Sequence, residues 1–176
     1  MSGPVWFGAY LAAVMLLAAA GMAKALRPSG TARALSLLGV TIPTWAVRAA
    51  ATVEVALSGW GVVRGGAAAA VLVACSYLGF FVFVMAALVR HTPLSSCGCF
   101  GESEAPPTAT HAVLNAGAAL VACAAALGYH PSFAHAVQTQ PAGGVPFAVL
   151  AATAAYLGYL AMAVLPRASA AAKALR

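Results

Sequence analysis

Aspartate is absent from this sequence, and glutamate occurs only as Glu54, Glu102 and Glu104. Charged residues of both signs make up 7% of the 176 positions, where a soluble domain carries about 25%. So little charge cannot clothe a water-facing surface, and a chain of this length cannot hide a 63% hydrophobic composition inside itself. With a mean hydropathy of +0.94, the solvent for most of the surface is lipid. The scarcity of acids also leaves no ring of carboxylates for a cation pore, and no carbonyl-filter pattern replaces it. A basic cluster with interleaved aromatics is missing too. Nine Lys and Arg against three acids give a net charge of +6, but they are scattered near the ends of apolar segments, where they meet anionic headgroups. Nucleic-acid binding is excluded on that ground.

What is present is a series of long apolar runs. The first, Val5 to Leu26, has no Lys or Arg before it and is too long for a signal-peptide core, so it is expected to remain as a membrane helix. Pro28 and Gly30 in "RPSGTAR" are expected to break it, with a short interfacial piece, "ALSLLG", after them. The second segment starts near Pro43, carries Arg48 and Glu54, and ends near Val63. The third, Ala67 to Val89, is the clearest. The fourth runs from about His111 to Leu127, and the fifth from Val145 to Leu165, where Pro166 is expected to stop it. The fold class is therefore an all-α membrane bundle, with four core spans and a fifth. If the second segment fails to cross, four spans remain. Residues 1–128 form the four-helix domain, 129–144 a polar loop, and 145–176 the added helix with a basic tail. The chain is expected in the cell membrane as a multi-pass protein. Its loops are under about 20 residues, near the upper limit for unstructured connections, and leave no room for a soluble catalytic domain. By the positive-inside rule, Lys24, Arg27, Arg33, Arg90 and the C-terminal basic residues place the N-terminus outside and the connection after the third segment inside.

That connection holds the densest chemistry, "SSCGCFGE". Cys97 and Cys99 flank Gly98, which lets the backbone fold sharply. A disulfide across one residue closes a very small ring, and departures from ideal geometry favour reduction. Such a pair suits exchange better than stapling. Phe100 is placed to dip into the membrane surface and anchor the loop, and Gly101 permits a second bend. Arg90 or His91 would favour the thiolate, and Glu102 would oppose it. Two alternatives stay open. One is a metal site of Cys97, Cys99, His91 and His111, for zinc or copper(I), although the single CxC lacks the second cysteine pair of a structural zinc site. The other is a tight turn with inert thiols. Cys75 and Cys123, in the third and fourth segments, read as small buried packing residues, with a buried relay pair as the alternative.

Glu54 is costly inside a span and needs a partner. Lys24, near the end of the first segment, is the natural one, and its long stem can reach inward. The pair would tie the first long helix to the second; a proton or substrate role is the alternative. Asn115 lies one turn after His111 on the same face, where it either bonds across helices or braces the cysteine loop. His111 reads equally as a helix-start residue among headgroups, and His130 and His135 as surface residues. Alanine-rich faces, among them Ala9 and Ala13, favour close helix packing.

Taken together, "GMAK" at Gly21 to Lys24, "VEVAL" at Val53 to Leu57, "CGCFG" at Cys97 to Gly101, and Asn115 resemble the MauE family of methylamine-utilisation membrane proteins. That family in turn looks like the DoxX-like four-helix membrane proteins. The resemblance covers residues 5–128. Leu114 stands where the family usually has arginine, and the fifth segment looks like an addition. The resemblance implies a role in making or maintaining disulfides in partner proteins, with a thioredoxin-like partner, and with Cys97 and Cys99 as the exchanging pair. It also implies that the cysteine loop faces outside, opposite to the charge pattern. Whether the chain is itself an oxidoreductase component is left open. No cofactor is evident; a quinone between helices is the candidate electron acceptor, and no motif marks its site. The competing functions are a non-catalytic assembly subunit of a larger membrane complex and a metal or small-molecule carrier.

Overall fold

The computed structural model describes residues 3–92, 100, 106–128, 138 and 141–168. The helices are α1 (Gly3–Leu26), α2 (Pro28–Leu37), α3 (Thr44–Val63), α4 (Ala67–Val89), α5 (Ala109–Gly128) and α6 (Val145–Tyr159). The last continues through a π-turn, Leu160–Val164, to residue 168. Five of these elements are long and apolar enough to cross a membrane: α1, α3, α4, α5 and the extended α6. The protein is a multi-pass helical membrane protein, and α3 is long and apolar enough to be one of its spans despite carrying Arg48 and Glu54.

Two boundaries differ from the sequence expectation. Only Arg27 interrupts helix between α1 and α2. Pro28 does not extend the break. It opens α2, because a first-turn proline loses no intrahelical hydrogen bond. Gly30 is buried inside that helix. The second difference is at Pro166, which does not stop the last span. Proline's ring clashes with the carbonyl four residues earlier, here Met162, and Met162 lies within the π-turn. The widened turn absorbs the clash, and the helix runs on past Pro166.

Helix α1 is the hub, packing on α3, α5 and α6. Its contact with α3 is close at two places. Near one end, a side chain at Gly61 would meet the Tyr10 hydroxyl at 3.0 Å; near the other, one at Gly21 would meet the Ala51 carbonyl oxygen at 3.0 Å. These two pairings fix the helices as antiparallel neighbours, and glycine at both points lets the backbones approach. Helix α4 lies along α5. Val14 and Leu17 of α1 meet Val73 and Tyr77 of α4 and Ala122 of α5 in the main core. The Tyr77 hydroxyl donates to the Ala13 carbonyl oxygen at 2.6 Å. Of the small residues on α1, Ala13 and Ala20 are buried, whereas Ala9 is exposed.

The chain order of the spans places the end of α1, all of α2, the start of α3, the end of α4 and the start of α5 at one end of the bundle. There α2 is held by Ala34, which packs with Ala87, Leu38 and Phe83. Arg90 at the end of α4 adds a hydrogen bond to the Leu38 carbonyl oxygen at 3.1 Å. Arg48 donates likewise to the Ala25 carbonyl oxygen at 3.0 Å. These arginines satisfy carbonyls at helix ends that lack intrahelical partners. The connection carrying the cysteine motif leaves and re-enters the bundle at this same end.

Candidate functional site

The α1–α3 approach at Gly21 sets the first locus. Lys24 lies one turn after Gly21, and its Nζ reaches Glu54 Oε2 at 2.6 Å. The side chains are 5% and 15% exposed. Lys24 Nζ also stands 4.1 Å from the centre of the Phe80 ring, so one ammonium bridges a carboxylate on α3 and an aromatic face on α4. Glu54 Oε2 has no hydrogen-bond partner among the described residues besides this ion pair. The Ser58 hydroxyl donates to the Glu54 carbonyl oxygen at 2.8 Å one turn further along α3. A buried pair of this kind is costly to desolvate, and the cost of leaving either partner alone is larger still.

A cavity of about 220 Å³ opens onto this pair. Leu35 of α2 and Ile42 of the following linker line it, together with Ala50 of α3 and Gly79, Phe80 and Phe83 of α4. Its walls are apolar apart from Lys24, Glu54 and Thr31. Ala50 and Gly79 are exposed in the isolated chain, so part of the cavity's rim lies on the outer face of α3 and α4.

The second locus lies at the start of α5. The Thr108 backbone N–H donates to His111 Nδ1 at 3.2 Å, and the Thr108 hydroxyl lies 2.9 Å from the same atom. With Nδ1 accepting, the ring proton sits on Nε2. Nε2 is buried and has no hydrogen-bond partner among the described residues. Asn115 Nδ2 donates to the His111 carbonyl oxygen at 2.8 Å. His111 is 0% exposed, so it is a core residue of the bundle end and not a headgroup residue. Asn115 is buried and spends this amide hydrogen bond within α5, not across to another helix.

Phe100 is 8% exposed. It packs with Ala20 of α1 and Met162 of the last span, and Leu16, Ala23 and Leu114 border the cluster. Its ring is edge-on to Tyr159, with centroids 5.2 Å apart and planes at 85°. Phe100 is thus seated between helices. Leu114 contributes an apolar surface to that seat. Tyr159, Phe80 and Tyr77 were not singled out from the sequence as site residues; aromatics inside apolar spans give no signal to separate them from ordinary packing.

Cys97, Gly98, Cys99 and Gly101 lie outside the described residues. So do His130 and His135. His91 is exposed and takes a left-handed backbone conformation, φ 49°. No group of three or more His, Cys, Asp or Glu able to hold a metal occurs among the described residues. Cys75 and Cys123 correct the expectation of buried thiols: both are exposed on outer helix faces. The alternation of apolar residues around a lipid-facing helix carries no inside-outside contrast, so burial there was not readable from the pattern.

The family profile of methylamine utilisation protein MauE matches residues 1–129. The chain belongs to the MauE family. The match ends one residue beyond α5, so the last span lies outside the MauE region although it packs directly on α1 and on Phe100. Searches of curated proteins and of solved structures found no match.

Proposed function

We propose that this MauE-family protein acts in thiol–disulfide maturation of partner proteins at the face of the cell membrane, with Cys97 and Cys99 as the exchanging pair. The observation that carries the reading is the seat of Phe100. Adjacent Cα atoms are about 3.8 Å apart, so a residue locked among Ala20, Met162 and Tyr159 tethers the neighbouring Cys99 to the bundle end. His111 and Asn115 brace the point where the motif's connection returns to helix.

In the oxidising direction, a partner thiolate attacks the Cys97–Cys99 disulfide. A mixed disulfide forms, and one cysteine leaves as a thiolate. The partner's second thiolate then attacks the mixed disulfide and releases the other cysteine. The partner gains a disulfide, and Cys97 and Cys99 end as a dithiol. A thioredoxin-like protein is the class of partner that the family role supports.

The test is trapping. Cys97→Ser and Cys99→Ser variants, each with a single motif thiol, are incubated with a thioredoxin-like protein that keeps one active-site cysteine, activated as an aromatic mixed disulfide so that the aromatic thiol departs on exchange. One of the two variants should accumulate a mixed disulfide resolved by dithiothreitol, and the double variant should not. Equal trapping in the double variant, through Cys75 or Cys123, would overturn the reading.

A further inference from the structure

We propose that the cavity beneath α2 binds an uncharged amphiphile by its hydroxyl head. This site is independent of the thiol chemistry. It begins with what the Lys24–Glu54 pair leaves unused. An ammonium has three N–H donors, and an ionised carboxylate has about four acceptor positions. Among the described residues, Lys24 Nζ meets one carboxylate oxygen, Glu54 Oε2, and the face of Phe80. Glu54 Oε2 is buried and has no hydrogen-bond partner beyond that ion pair. Donor and acceptor capacity are therefore left over side by side, at the polar end of a cavity. Buried polar groups are costly to leave unsatisfied.

The unused capacity selects the head. A hydroxyl both donates and accepts, so it accepts from Lys24 and donates to Glu54 at once, and it adds no charge to a pair that is already neutral. A carboxylate or phosphate adds a negative charge beside Glu54, and an ammonium adds a positive one beside Lys24. An ether or carbonyl oxygen answers only the lysine. The walls select the body. They are apolar except at Lys24, Glu54 and Thr31, and include Leu35, Ile42 and Phe83. A buried water needs about two to four polar partners, and an apolar cavity of roughly 150 Å³ stays dry and takes up benzene. At about 220 Å³, this cavity has room for a ring or a short alkyl chain behind the hydroxyl, where water finds no partners. Part of the rim lies on the outer face of α3 and α4, at Ala50 and Gly79. A body longer than the cavity extends there.

The experiment varies the head on one body. The unfolding temperature of purified full-length protein, in one detergent at neutral pH, is followed against the concentration of phenethyl alcohol, its methyl ether, ethylbenzene, phenethylamine and hydrocinnamate. The concentration giving half the maximal rise ranks affinity. Gly79→Phe narrows the cavity from a lining position where an added Cβ meets nothing within 4 Å, and it controls for effects of each compound on the detergent. Ala50→Phe serves if that variant does not fold. Phenethyl alcohol should bind about tenfold or more tightly than the ether, the hydrocarbon or either ion, and narrowing the cavity should weaken it by a similar factor. The Lys24→Met, Glu54→Leu protein should lose this preference and bind ethylbenzene at least as well as the alcohol. Octanol and monooctanoylglycerol compare a free alcohol with a membrane glyceride, and the tighter of the two names the source. No preference for phenethyl alcohol in the parent protein overturns the inference. So does the same preference in the Lys24→Met, Glu54→Leu protein, or equal binding in the parent and both narrowed variants. The trapping result stands in each case, because none of these measurements involves a motif thiol.

Discussion

Phe100 meets Tyr159 edge to face, with ring centres 5.2 Å apart. One of these residues belongs to the cysteine motif and the other to the span outside the MauE match. The added helix therefore packs on Phe100, a residue that the family region supplies. It is also pinned at its far end, where Phe7 and Phe147 stack at 5.4 Å.

Removing the ring at position 159 should loosen the motif without unfolding the bundle. An aromatic pair contributes about 1 kcal/mol beyond its buried area, so Tyr159→Ala should raise the alkylation rate of reduced Cys99 several-fold. Tyr159→Phe keeps the ring and should react like the parent. Phe100→Ala should show the largest rise. Alkylation kinetics in detergent, followed by mass spectrometry, give the comparison; equal rates in all four proteins would detach the seat of Phe100 from thiol reactivity.

The Lys24–Glu54 pair should be far more sensitive to halving than to removal. Lys24→Met alone leaves a buried carboxylate and should cost about 3–5 kcal/mol. Lys24→Met with Glu54→Leu leaves no charge behind and should be much less destabilising than the sum of the singles. Thermal unfolding of the four proteins of this cycle in one detergent checks the order.

Two glycines make a matched pair. A side chain at Gly21 would press on the Ala51 carbonyl oxygen and on Val55 Cγ2, each at 3.0 Å, whereas one at Gly59 meets nothing within 4 Å. Gly21→Val should separate α1 from α3 and lower the unfolding temperature markedly. Gly59→Ala should be neutral or slightly stabilising, since alanine favours helix by about 1 kcal/mol over glycine.

The hydrogen bond from Tyr77 to the Ala13 carbonyl oxygen ties α4 to α1 at 2.6 Å. Interhelical bonds in membrane proteins average about 0.6 kcal/mol, so Tyr77→Phe should cause only a small loss of thermal stability. Tyr77→Ala, which also empties part of the main core, should cause a larger one.

The sequence made the spans legible because runs of about 20 apolar residues admit few other structures. Ala67–Val89 is the same in both readings, since Gly66 and Arg90 bound it on either side. The partner of Glu54 was legible for a similar reason: lysine is scarce, and Lys24 closes the first span on the side where the span carrying Glu54 begins. Local chemistry misled where a single residue had two uses. Pro28 reads as a breaker and acts as a helix start, and Pro166 reads as a stop and sits behind a π-turn. Burial of Cys75 and Cys123 was not legible, because a lipid-facing alanine-rich helix looks alike on every side. The cavity was not legible either, since its walls come from α2, a linker, α3 and α4, and only the fold brings Leu35, Ile42, Ala50 and Gly79 around Lys24 and Glu54.

The central claim is that Cys97 and Cys99 are a working redox pair, and differential alkylation tests it most directly. Cells expressing the protein are treated with a membrane-impermeant thiol reagent before and after mild reduction, and each cysteine is quantified by mass spectrometry. The account predicts that Cys97 and Cys99 are blocked together in a fraction of molecules, are released together by reduction, and leave the helical fold unchanged. The extent of labelling also tells which membrane face the loop occupies. Cys97 and Cys99 that stay fully reduced under every oxidant tried would contradict it.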